Sequence, residues 1–296
     1  MLACLTVVLG AGVRGCGGAG VRDLDLRAAA VAGSWYPDSA SALAAQVDGC
    51  LAEAPELEGD LVALVAPHAG LMYSGPVAAH AYRLLRSRAF DVIVLVGPSH
   101  FVAFDGVAAY PGRGFETPFG VAAIDRAALD DVMAATPIVV PMAAPHGREH
   151  SLEMQLPFVK RLAPDAGIVP LLMGSQTDET ARALGAALAS ALADRRALVV
   201  ASSDLSHYHD AATAARLDAV VIDRVRAFDP DGLQRALDAR PGHACGGGPM
   251  VAVMRAALAL GARGARVLDY ADSGDVSGDK SSVVGYLAAA FGTFAS

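Results

Sequence analysis

The chain has 296 residues, of which 54% are hydrophobic and only 18% are charged, with a mean hydropathy of +0.40. This composition supports a large core and excludes disorder as the main state of the chain. The net charge of −8 and the isoelectric point of about 5.4 argue against a nucleic-acid or anionic-membrane partner. The four cysteines form no CxxC pair, so the sequence indicates neither a zinc knuckle nor a disulfide framework.

Residues 1–20 contain a short apolar stretch that no basic residue precedes and that Arg14 follows. The stretch is too short to span a bilayer, which takes ~20 apolar residues, and it makes a poor secretory signal. We expect residues 1–30 to be a tail, either disordered or the product of a misassigned start, and residues 31–296 to form the folded domain. Since no transmembrane stretch or disulfide pattern is present in the sequence, we expect a cytoplasmic protein.

Strand-like and helix-like segments alternate along the chain, and no linker or internal repeat divides them. This alternation predicts a single α/β domain with a central, mostly parallel or mixed sheet flanked by helices. Residues 111–120 are rich in glycine and proline and are predicted to be a loop. In chain order, the predicted elements are helix 40–53, strand 61–66, helix 75–86, strands 91–97 and 105–110, helix 151–163, strand 167–173, helix 178–193, strand 197–203, helices 210–227 and 248–261, and strands 266–271 and 282–290.

Three of the predicted strands run into histidines at their carboxyl ends. His68 and His100 follow two apolar strands, and a third strand leads into Asp204, His207 and His209. Because ligands of open α/β sheets bind outside the carboxyl ends of the strands, we expect these side chains to share one site. Imidazole is a common ligand of iron, copper and zinc, so the pattern favours metal ligation over buried histidines bonded to backbone carbonyls.

Cys245 lies in a glycine run, CGGGP, just before a predicted helix whose N-terminus favours a thiolate. From the residues alone, three interpretations stay open. The cysteine is an anionic metal ligand, a nucleophile with His243 or His207 as its base, or a buried inert thiol.

The pair Asp204 and His207 is predicted to act in the site. The histidine is a fourth ligand, an acid/base or an orienting group, and the carboxylate orients a ligand imidazole. The alternative is that Ser202, Ser203 and Asp204 cap the following helix. Two acidic residues surround the start of helix 151–163. Complementation of the helix dipole accounts for Glu149, whereas Glu153 is predicted to lie in the site as an acid/base or supporting group.

Nine ordered segments of the chain resemble the Memo family, mediators of ErbB2-driven cell motility, whose prokaryotic members are known as AmmeMemoRadiSam system protein B. The resemblance covers nearly everything from about residue 31 onward. The matching segments are AGSWYP at 32–37, APHAG at 66–70, SGPVAAHAY at 74–82, GPSH at 97–100, TPFG at 117–120, EHSLEMQLPF at 149–158, SSDLSHY at 202–208, CGGGP at 245–249 and GDVSGDKSSVVGY at 274–286.

The resemblance implies a fold similar to that of class III extradiol (LigB-type) non-haem iron dioxygenases. Carried onto this sequence, the metal ligands of the family fall on His68, His100 and Cys245. The pocket-lining residues that it implies are Asp204, His207 and Glu153. A thiolate stands where the dioxygenases have a carboxylate, which favours Fe(II), or alternatively Cu, over Mg or Mn.

These observations lead us to expect a metalloprotein with dioxygenase-like oxidoreductase chemistry on a small-molecule or peptide substrate. In this hypothesis His207 is the acid/base, Asp204 orients it and Glu153 supports the site. The alternative is a non-catalytic peptide-binding protein or an accessory subunit, because bacterial relatives resemble partners of an AMMECR1-type protein and a radical-SAM enzyme. A third hypothesis, hydrolysis by a cysteine nucleophile, requires a depressed pKa at Cys245.

Overall fold

The computed structural model describes residues 26–294, in which nine strands form one mixed sheet and three strands form a smaller one. The order of strands along the large sheet is β10-β12-β2-β9-β3-β8-β4-β7, with β11 also paired to β12. The strands are β1 (Leu26–Arg27), β2 (Gly59–Ala66), β3 (Val92–Pro98), β4 (Val107–Ala109), β5 (Gly114–Thr117), β6 (Gly120–Ala123), β7 (Val139–Pro141), β8 (Gly167–Met173), β9 (Ala197–Ser202), β10 (Asp204–His209), β11 (Gly264–Asp272) and β12 (Val283–Phe294).

Helices cover both faces of the large sheet. Since side chains alternate along a strand, Val94 and Val96 of β3 join one apolar core, while Ile93 and Leu95 join the other. The predicted α/β domain with a mixed, helix-flanked sheet is therefore confirmed. The helices are α1 (Ala40–Glu53), α2 (Leu71–Tyr82), α3 (Arg126–Ala135), α4 (Leu156–Leu162), α5 (Asp178–Leu192), α6 (Ala211–Arg226), α7 (Pro230–Ala239), α8 (Gly247–Ala259) and α9 (Gly274–Ser277).

The centre of the large sheet is parallel. Strands β2, β9, β3 and β8 run in the same direction, and residues 92–98 of β3 are buried throughout. Continuous runs of valine, leucine and isoleucine suit strands covered on both faces, which is why these strands are recognisable in the sequence. Their carboxyl ends lie at one edge, where His68 and His100 follow β2 and β3.

The last strand, β12, connects the parallel centre to the site. Its second half pairs with β2, and its first half pairs with β10, both in antiparallel fashion. In addition, β11 pairs with residues 285–292 of β12. Because β10 and β2 share one strand as a neighbour, β10 is held close to the carboxyl end of β2.

The small sheet corrects two expectations. Strands β5 and β6 form a hairpin at 114–123, where the sequence predicted a loop over 111–120, and β1 adds to it in parallel. Residues 26–30, assigned to the tail, belong to the fold because Arg27 is buried and pairs with a buried carboxylate. The rest of the predicted tail, residues 1–25, lies outside the described residues.

All seven predicted strands are present at their expected places, while several short elements escaped prediction. The helix expected to open at Gly75 begins at Leu71, and the helix expected at 151–163 is a 3-10 turn at Glu153–Gln155 followed by α4. The unpredicted elements are β1, β5, β6, β7, β10, α3, α7 and α9. Among residues 26–294, the helices lack the combined length and apolar character needed to cross a membrane.

Candidate metal centre

Three possible metal ligands converge at the carboxyl edge of the sheet. His68 and His100 follow strands β2 and β3, and Cys245 lies between a 3-10 turn and the first residue of α8. The Sγ of Cys245 is 3.2 Å from Nε2 of His68. One ligand atom from each of the three residues lies within 4.8 Å of the others. The structure thus brings together the three residues expected to hold a metal.

The hydrogen bonds of Ser202 determine the tautomer of His68. The Ser202 hydroxyl donates its single proton to the Ser151 carbonyl oxygen at 2.6 Å and accepts from Nε2 of Gln155 at 2.7 Å. Its remaining lone pair must accept from Nδ1–H of His68, which lies 2.9 Å away. The proton of the neutral ring is therefore on Nδ1, and Nε2 presents a lone pair toward Cys245.

Glu149 fixes His100 in the same way. Its carboxylate accepts from Nδ1–H of the His100 ring at 2.8 Å and from the His100 backbone N–H at 2.6 Å. The backbone N–H groups of His150 and Ser151 also donate to it, each at 2.9 Å. An ionised carboxylate only accepts, so Nε2 of His100 keeps its lone pair for a ligand. Dipole complementation, the explanation favoured from sequence, is wrong for Glu149 because no helix begins there.

Asp204 organises the backbone of the site. Its Oδ1 accepts from the backbone N–H groups of His68 at 2.7 Å and of Ala69 at 3.3 Å. Its own N–H donates to Sγ of Cys245 at 3.3 Å, and its carbonyl accepts from the N–H of Cys245 at 3.2 Å. Asp204 is the first residue of β10, so it does not cap the next helix, which Asp210 caps instead.

His207 lies in the same pocket, but its orienting partner differs from the one expected. Its Nδ1–H donates to the carbonyl of Leu205 at 2.8 Å, while the Oδ1 of Asp204 is engaged by the backbone of residues 68 and 69. The carbonyl therefore sets the tautomer and leaves Nε2 as an acceptor. The neighbouring Tyr208 is 79% exposed at a positive φ of 62°. His209 pairs with Val283 across the β10–β12 ladder.

Glu153 does not line the pocket, in contrast to its predicted place in the site. Its buried carboxylate pairs with Arg27 at 2.6 Å and accepts from the Tyr36 hydroxyl at 2.7 Å. It also accepts from the backbone N–H groups of Ala30 and Val31. All of these partners belong to the first described segment of the chain. Glu153 therefore fastens that segment to the core.

Sequence reasoning missed four rings of the pocket, those of Trp35, Phe101, His150 and Tyr208. The His150 ring stacks on that of His100 with centroids 4.7 Å apart, and the Trp35 ring lies 4.4 Å from it. His150 also forms a second possible ligand group with His100 and Glu149. The motif EHSLEM contains His150, but its contacts depend on two distant strand ends. The pocket encloses about 480 Å³ and is lined by Trp35, His68, Ala69, His100, Phe101, His150, Asp204, His207, Tyr208, Cys245 and Val284.

Comparison with known proteins gives the chain its family. The family model described as Memo-like protein matches residues 27–290. The chain belongs to the Memo family. A MEMO1 family protein of Methanosarcina mazei is 38% identical over 268 residues, which cover 90% of this chain and 98% of that protein. The MEMO1 family protein MTH_45 of Methanothermobacter thermautotrophicus is 38% identical over 274 residues, 88% of this chain and 98% of that protein.

A solved structure shares the architecture of the chain. The crystal structure of the uncharacterized protein JW3007 from Escherichia coli K12 matches with a TM-score of 0.52. The match covers 77% of this chain and 99% of that chain, at 17% sequence identity. At this identity the likeness concerns the fold alone.

Burial and hydrogen bonds determine the protonation states of several side chains around the pocket. Burial lowers the pKa of His68 to about 3, aided by the neighbouring His100, and lowers that of His150 to about 4. Burial acts to raise the pKa of Glu149, but hydrogen bonds from His100 outweigh it and bring the value to about 2. The imidazoles of His68 and His150 are therefore neutral and Glu149 is ionised at neutral pH.

The pKa of the Cys245 thiol is shifted in the opposite direction from that of a nucleophilic cysteine. Burial raises its pKa, and the carboxylate of Asp204 raises it further. The nucleophile interpretation requires a lowered pKa, so without a cation the direction of this pKa shift does not support it. A metal ion between the thiol and the two imidazoles would displace the thiol proton and convert Cys245 to an anionic ligand.

The residues present fit a mononuclear metal ion. Two imidazoles offer Nε2 atoms whose directions are fixed by Ser202 and Glu149, and the thiol supplies one compensating charge as a thiolate. Hydrogen bonds of this kind to the far nitrogen of a ligand histidine are typical of metal sites. The pocket therefore contains a group of residues that could hold a metal ion, together with hydrogen-bond partners that orient them.

Proposed function

We propose that this Memo-family protein binds one Fe(II) ion, or alternatively one Cu ion, through His68, His100 and Cys245 and uses it in oxidoreductase chemistry of the dioxygenase type. The observation that carries the proposal is the convergence of three ligand atoms within 4.8 Å beside an open pocket of about 480 Å³. A soft thiolate with two imidazoles favours Fe(II) or Cu over Mg or Mn. The bound ion supplies the redox and O₂ chemistry that amino-acid side chains lack.

The side chains around the pocket have distinct roles in this proposal. His207 accepts or returns a substrate proton at Nε2, because its Nδ1 proton is held by the Leu205 carbonyl. Asp204 fixes the positions of His68 and Cys245 relative to each other through its hydrogen bonds to both. The rings of Trp35, Phe101 and His150 line the pocket and provide apolar surface for a small-molecule or peptide substrate.

A second candidate function is a non-catalytic one, as a peptide-binding protein or an accessory subunit of AMMECR1-type and radical-SAM partners. The observation in its favour is the exposure of Trp35, Phe101 and Tyr208 around the pocket. Aromatic side chains that remain exposed are suited to partner contacts. A cytoplasmic location, where thiols stay reduced, suits both candidates, since Cys50 and Cys245 are unpaired.

Metal content is the measurement that tests the first proposal. Protein purified without oxygen and without an affinity-tag histidine run is analysed for bound elements as wild type, Cys245→Ser and Cys50→Ser. We expect near-stoichiometric iron or copper in the wild type and in Cys50→Ser, because Cys50 belongs neither to the ligand group nor to the pocket lining. We expect Cys245→Ser to lose most of the metal while remaining folded. Full retention in that variant would contradict the assignment.

The double variant His68→Ala/His100→Ala distinguishes the two proposed functions. An enzyme of the proposed kind loses O₂ uptake with its substrate in this variant, since the metal is lost. An adaptor keeps its affinity for an AMMECR1-type partner, measured by titration calorimetry, because the exposed aromatic residues are unchanged. Retained affinity together with a metal-free wild type would favour the second function.

A further inference from the structure

The amide of Gln176 holds the turn that carries Cys245. Its Nε2 donates to the Cys245 carbonyl oxygen at 2.7 Å, and its Oε1 accepts from the backbone N–H of Gly248 at 2.7 Å. A carbonyl oxygen only accepts and an N–H only donates, so the two bonds together fix which end of the amide is the oxygen. One half-buried side chain therefore binds both ends of the turn at 245–248. The chemistry proposed above gives Gln176 no role.

The segment that bears Gln176 is itself anchored on both sides. It follows strand β8, and the backbone N–H of Ser175 donates to the Phe104 carbonyl at 2.9 Å. On the other side, the hydroxyl of Thr177 caps helix α5 by accepting from the N–H of Thr180 at 3.1 Å. Because both of its neighbours are bonded to other parts of the fold, Gln176 provides a fixed support for the turn.

Two glycines allow this close contact. A Cβ added to Gly248 would lie 2.7 Å from the Cβ of Gln176. A Cβ added to Gly246 would lie 2.4 Å from the Ser202 carbonyl oxygen. Side chains at these two positions would push the turn away from its supports, which is why the backbone there is glycine. The glycine run after Cys245 therefore allows the turn to pack between the end of β9 and Gln176.

Gln176 connects the Cys245 turn to the His100 side of the sheet. Strand β3 leads to His100 and pairs in parallel with the full length of β8. Beyond the last pair, the backbone N–H of Ser99 donates to the Met173 carbonyl at 3.0 Å. Gln176 follows shortly after Met173 along the chain. Its amide therefore links the position of the turn to the end of the strand pair that carries His100.

The His68 side has a separate connection to the turn. Asp204 accepts from the backbone N–H groups of His68 and Cys245, and its own N–H donates to Sγ of Cys245. These bonds hold the thiol 3.2 Å from Nε2 of His68 without any contribution from β8. Asp204 thus accounts for the distance from Cys245 to one imidazole, and the distance to the other imidazole needs a second support.

We propose that Gln176 is a positioning residue of the candidate metal centre, which fixes the distance between the Cys245 thiol and His100. This inference rests on the proposed metal binding. Without the Gln176 amide, the turn keeps its bonds to Asp204 but loses its attachment to the end of β8. The three ligand atoms, which lie within 4.8 Å of one another, are then no longer held in one arrangement. Loss of a group that orients a metal ligand lowers metal affinity by roughly 10- to 100-fold.

Titration of metal-free protein with Co(II) tests this role, because a thiolate bound to Co(II) gives a charge-transfer band in the near ultraviolet. We expect this band in the wild type and its absence in Cys245→Ser. In Gln176→Met, whose side chain has a similar length but makes neither bond, we expect a shifted band and a Co(II) affinity weaker by roughly 10- to 100-fold. Gln46→Met, at a half-buried position on α1 outside the pocket, is the matched control and should match the wild type.

Alkylation of metal-free protein measures the same positioning without a metal ion. Cys245 and Cys50 are both unpaired and partly buried, so Cys50 serves as a reference within the same molecule. We expect iodoacetamide to modify Cys245 about threefold faster, or more, in Gln176→Met than in the wild type, because the turn opens more often. The rate at Cys50 should not change. Mass spectrometry of the peptides follows each cysteine separately.

Two results would overturn the proposal. One is a Co(II) affinity of Gln176→Met within about threefold of the wild type, and the other is an unchanged alkylation rate at Cys245. If the wild type gives no thiolate band, the metal-binding proposal is wrong, and the alkylation rates alone decide whether Gln176 positions the thiol. If Gln176→Met does not fold, Gln176→Glu replaces it, since a carboxylate accepts from Gly248 but cannot donate to the Cys245 carbonyl.

Discussion

Two glutamates four residues apart have different tasks in this molecule. Glu149 receives the ring N–H of His100, whereas Glu153 receives Arg27 and the Tyr36 hydroxyl. Both carboxylates are buried, and both are in one segment between β7 and α4. One therefore supports a proposed metal ligand, and the other binds the N-terminal segment of the fold.

Substitution of Glu149 tests its support of a ligand. In Glu149→Gln, the amide no longer provides a charged acceptor for Nδ1–H, so the orientation and basicity of the His100 ring are weakened. We expect metal affinity to fall by 10- to 100-fold, roughly, while the fold is kept. Competition with a chelator of known affinity measures the change. An unaltered affinity would show that His100 does not depend on this carboxylate.

Substitution of Glu153 should affect stability instead of metal binding. In Glu153→Gln, the guanidinium of Arg27, which is 4% exposed, remains buried without a countercharge. Removal of one partner from a buried ion pair costs about 3–5 kcal/mol of the free energy of unfolding. Urea denaturation measures that loss, and the metal content of the folded protein should equal that of the wild type. A metal loss as large as in Glu149→Gln would show that Glu153 does contribute to metal binding.

At the scale of elements, the passage from β9 to α6 explains how the pocket is built. The chain leaves β9 at Ser202, forms β10 from Asp204 to His209, and enters α6 only after Asp210. The Oδ1 of Asp210 accepts from the N–H of Thr213 at 3.0 Å, which is an N-cap bond. The inserted strand carries Asp204 and His207 into the pocket.

The cap can be separated from the site by mutation. Asp210→Ala removes the N-cap acceptor of α6, so we expect a loss of about 1 kcal/mol in the free energy of unfolding. Metal content should not change, since Asp210 is not in the pocket. Asp223→Ala, on the exposed surface of the same helix, is the control and should stay within about 0.5 kcal/mol of the wild type. Chemical denaturation compares the three proteins.

Elements with strong local patterns were predictable, and elements made by distant pairing were not. The apolar run of β3 reads as a buried strand in isolation, whereas β5 and β6 contain glycine and exposed residues and are strands because they pair. Strand β10 is polar and depends on β12. Helices α3 and α7 did have a signal, since Asp125 and Asp229 precede them as N-caps.

In the candidate site, too, residues with a local sequence pattern were predictable and residues that depend on distant contacts were not. His68 and His100 were found from their places after apolar strands, and Cys245 from its glycine run and the family resemblance. Ser202 and Glu149 were not assigned their roles, because a hydrogen bond between segments far apart in sequence has no local pattern. Glu153 was misplaced for a related reason. Its true partner, Arg27, lies in residues that were assigned to a tail.

Across the whole molecule, two buried histidines and one half-buried histidine link folding to pH. Burial lowers the pKa values of His68 and His146 to about 3 and of His150 to about 4, from an ordinary 6.5. The folded protein therefore keeps these rings neutral, while the unfolded chain takes up protons below pH 6.5. Since the unfolded state binds more protons, stability is fully present above pH 6.5 and is lost as the pH falls toward 4.

Metal-free protein should show this loss in urea denaturation at a series of pH values. Each histidine contributes up to about 1.4 kcal/mol per pH unit below pH 6.5, or about 4 kcal/mol per unit for all three. Below pH 4.5, protonation of Glu149 in the unfolded state adds to the slope. His146→Gln keeps a donor for the Ala108 carbonyl and should reduce the slope by about one third. A flat profile between pH 7 and 5 would contradict the buried neutral state.

The pairing of β12 with both β2 and β10 also has a consequence for biosynthesis. A ribosome has to add residues as far as Phe294 before β2 and β10 obtain their common neighbour. Until then the nascent chain has an open edge on β2, and β10, which carries Asp204 and His207, has no strand to pair with. We therefore expect ion capture to follow chain elongation, with chaperones shielding the unfinished sheet in the interval.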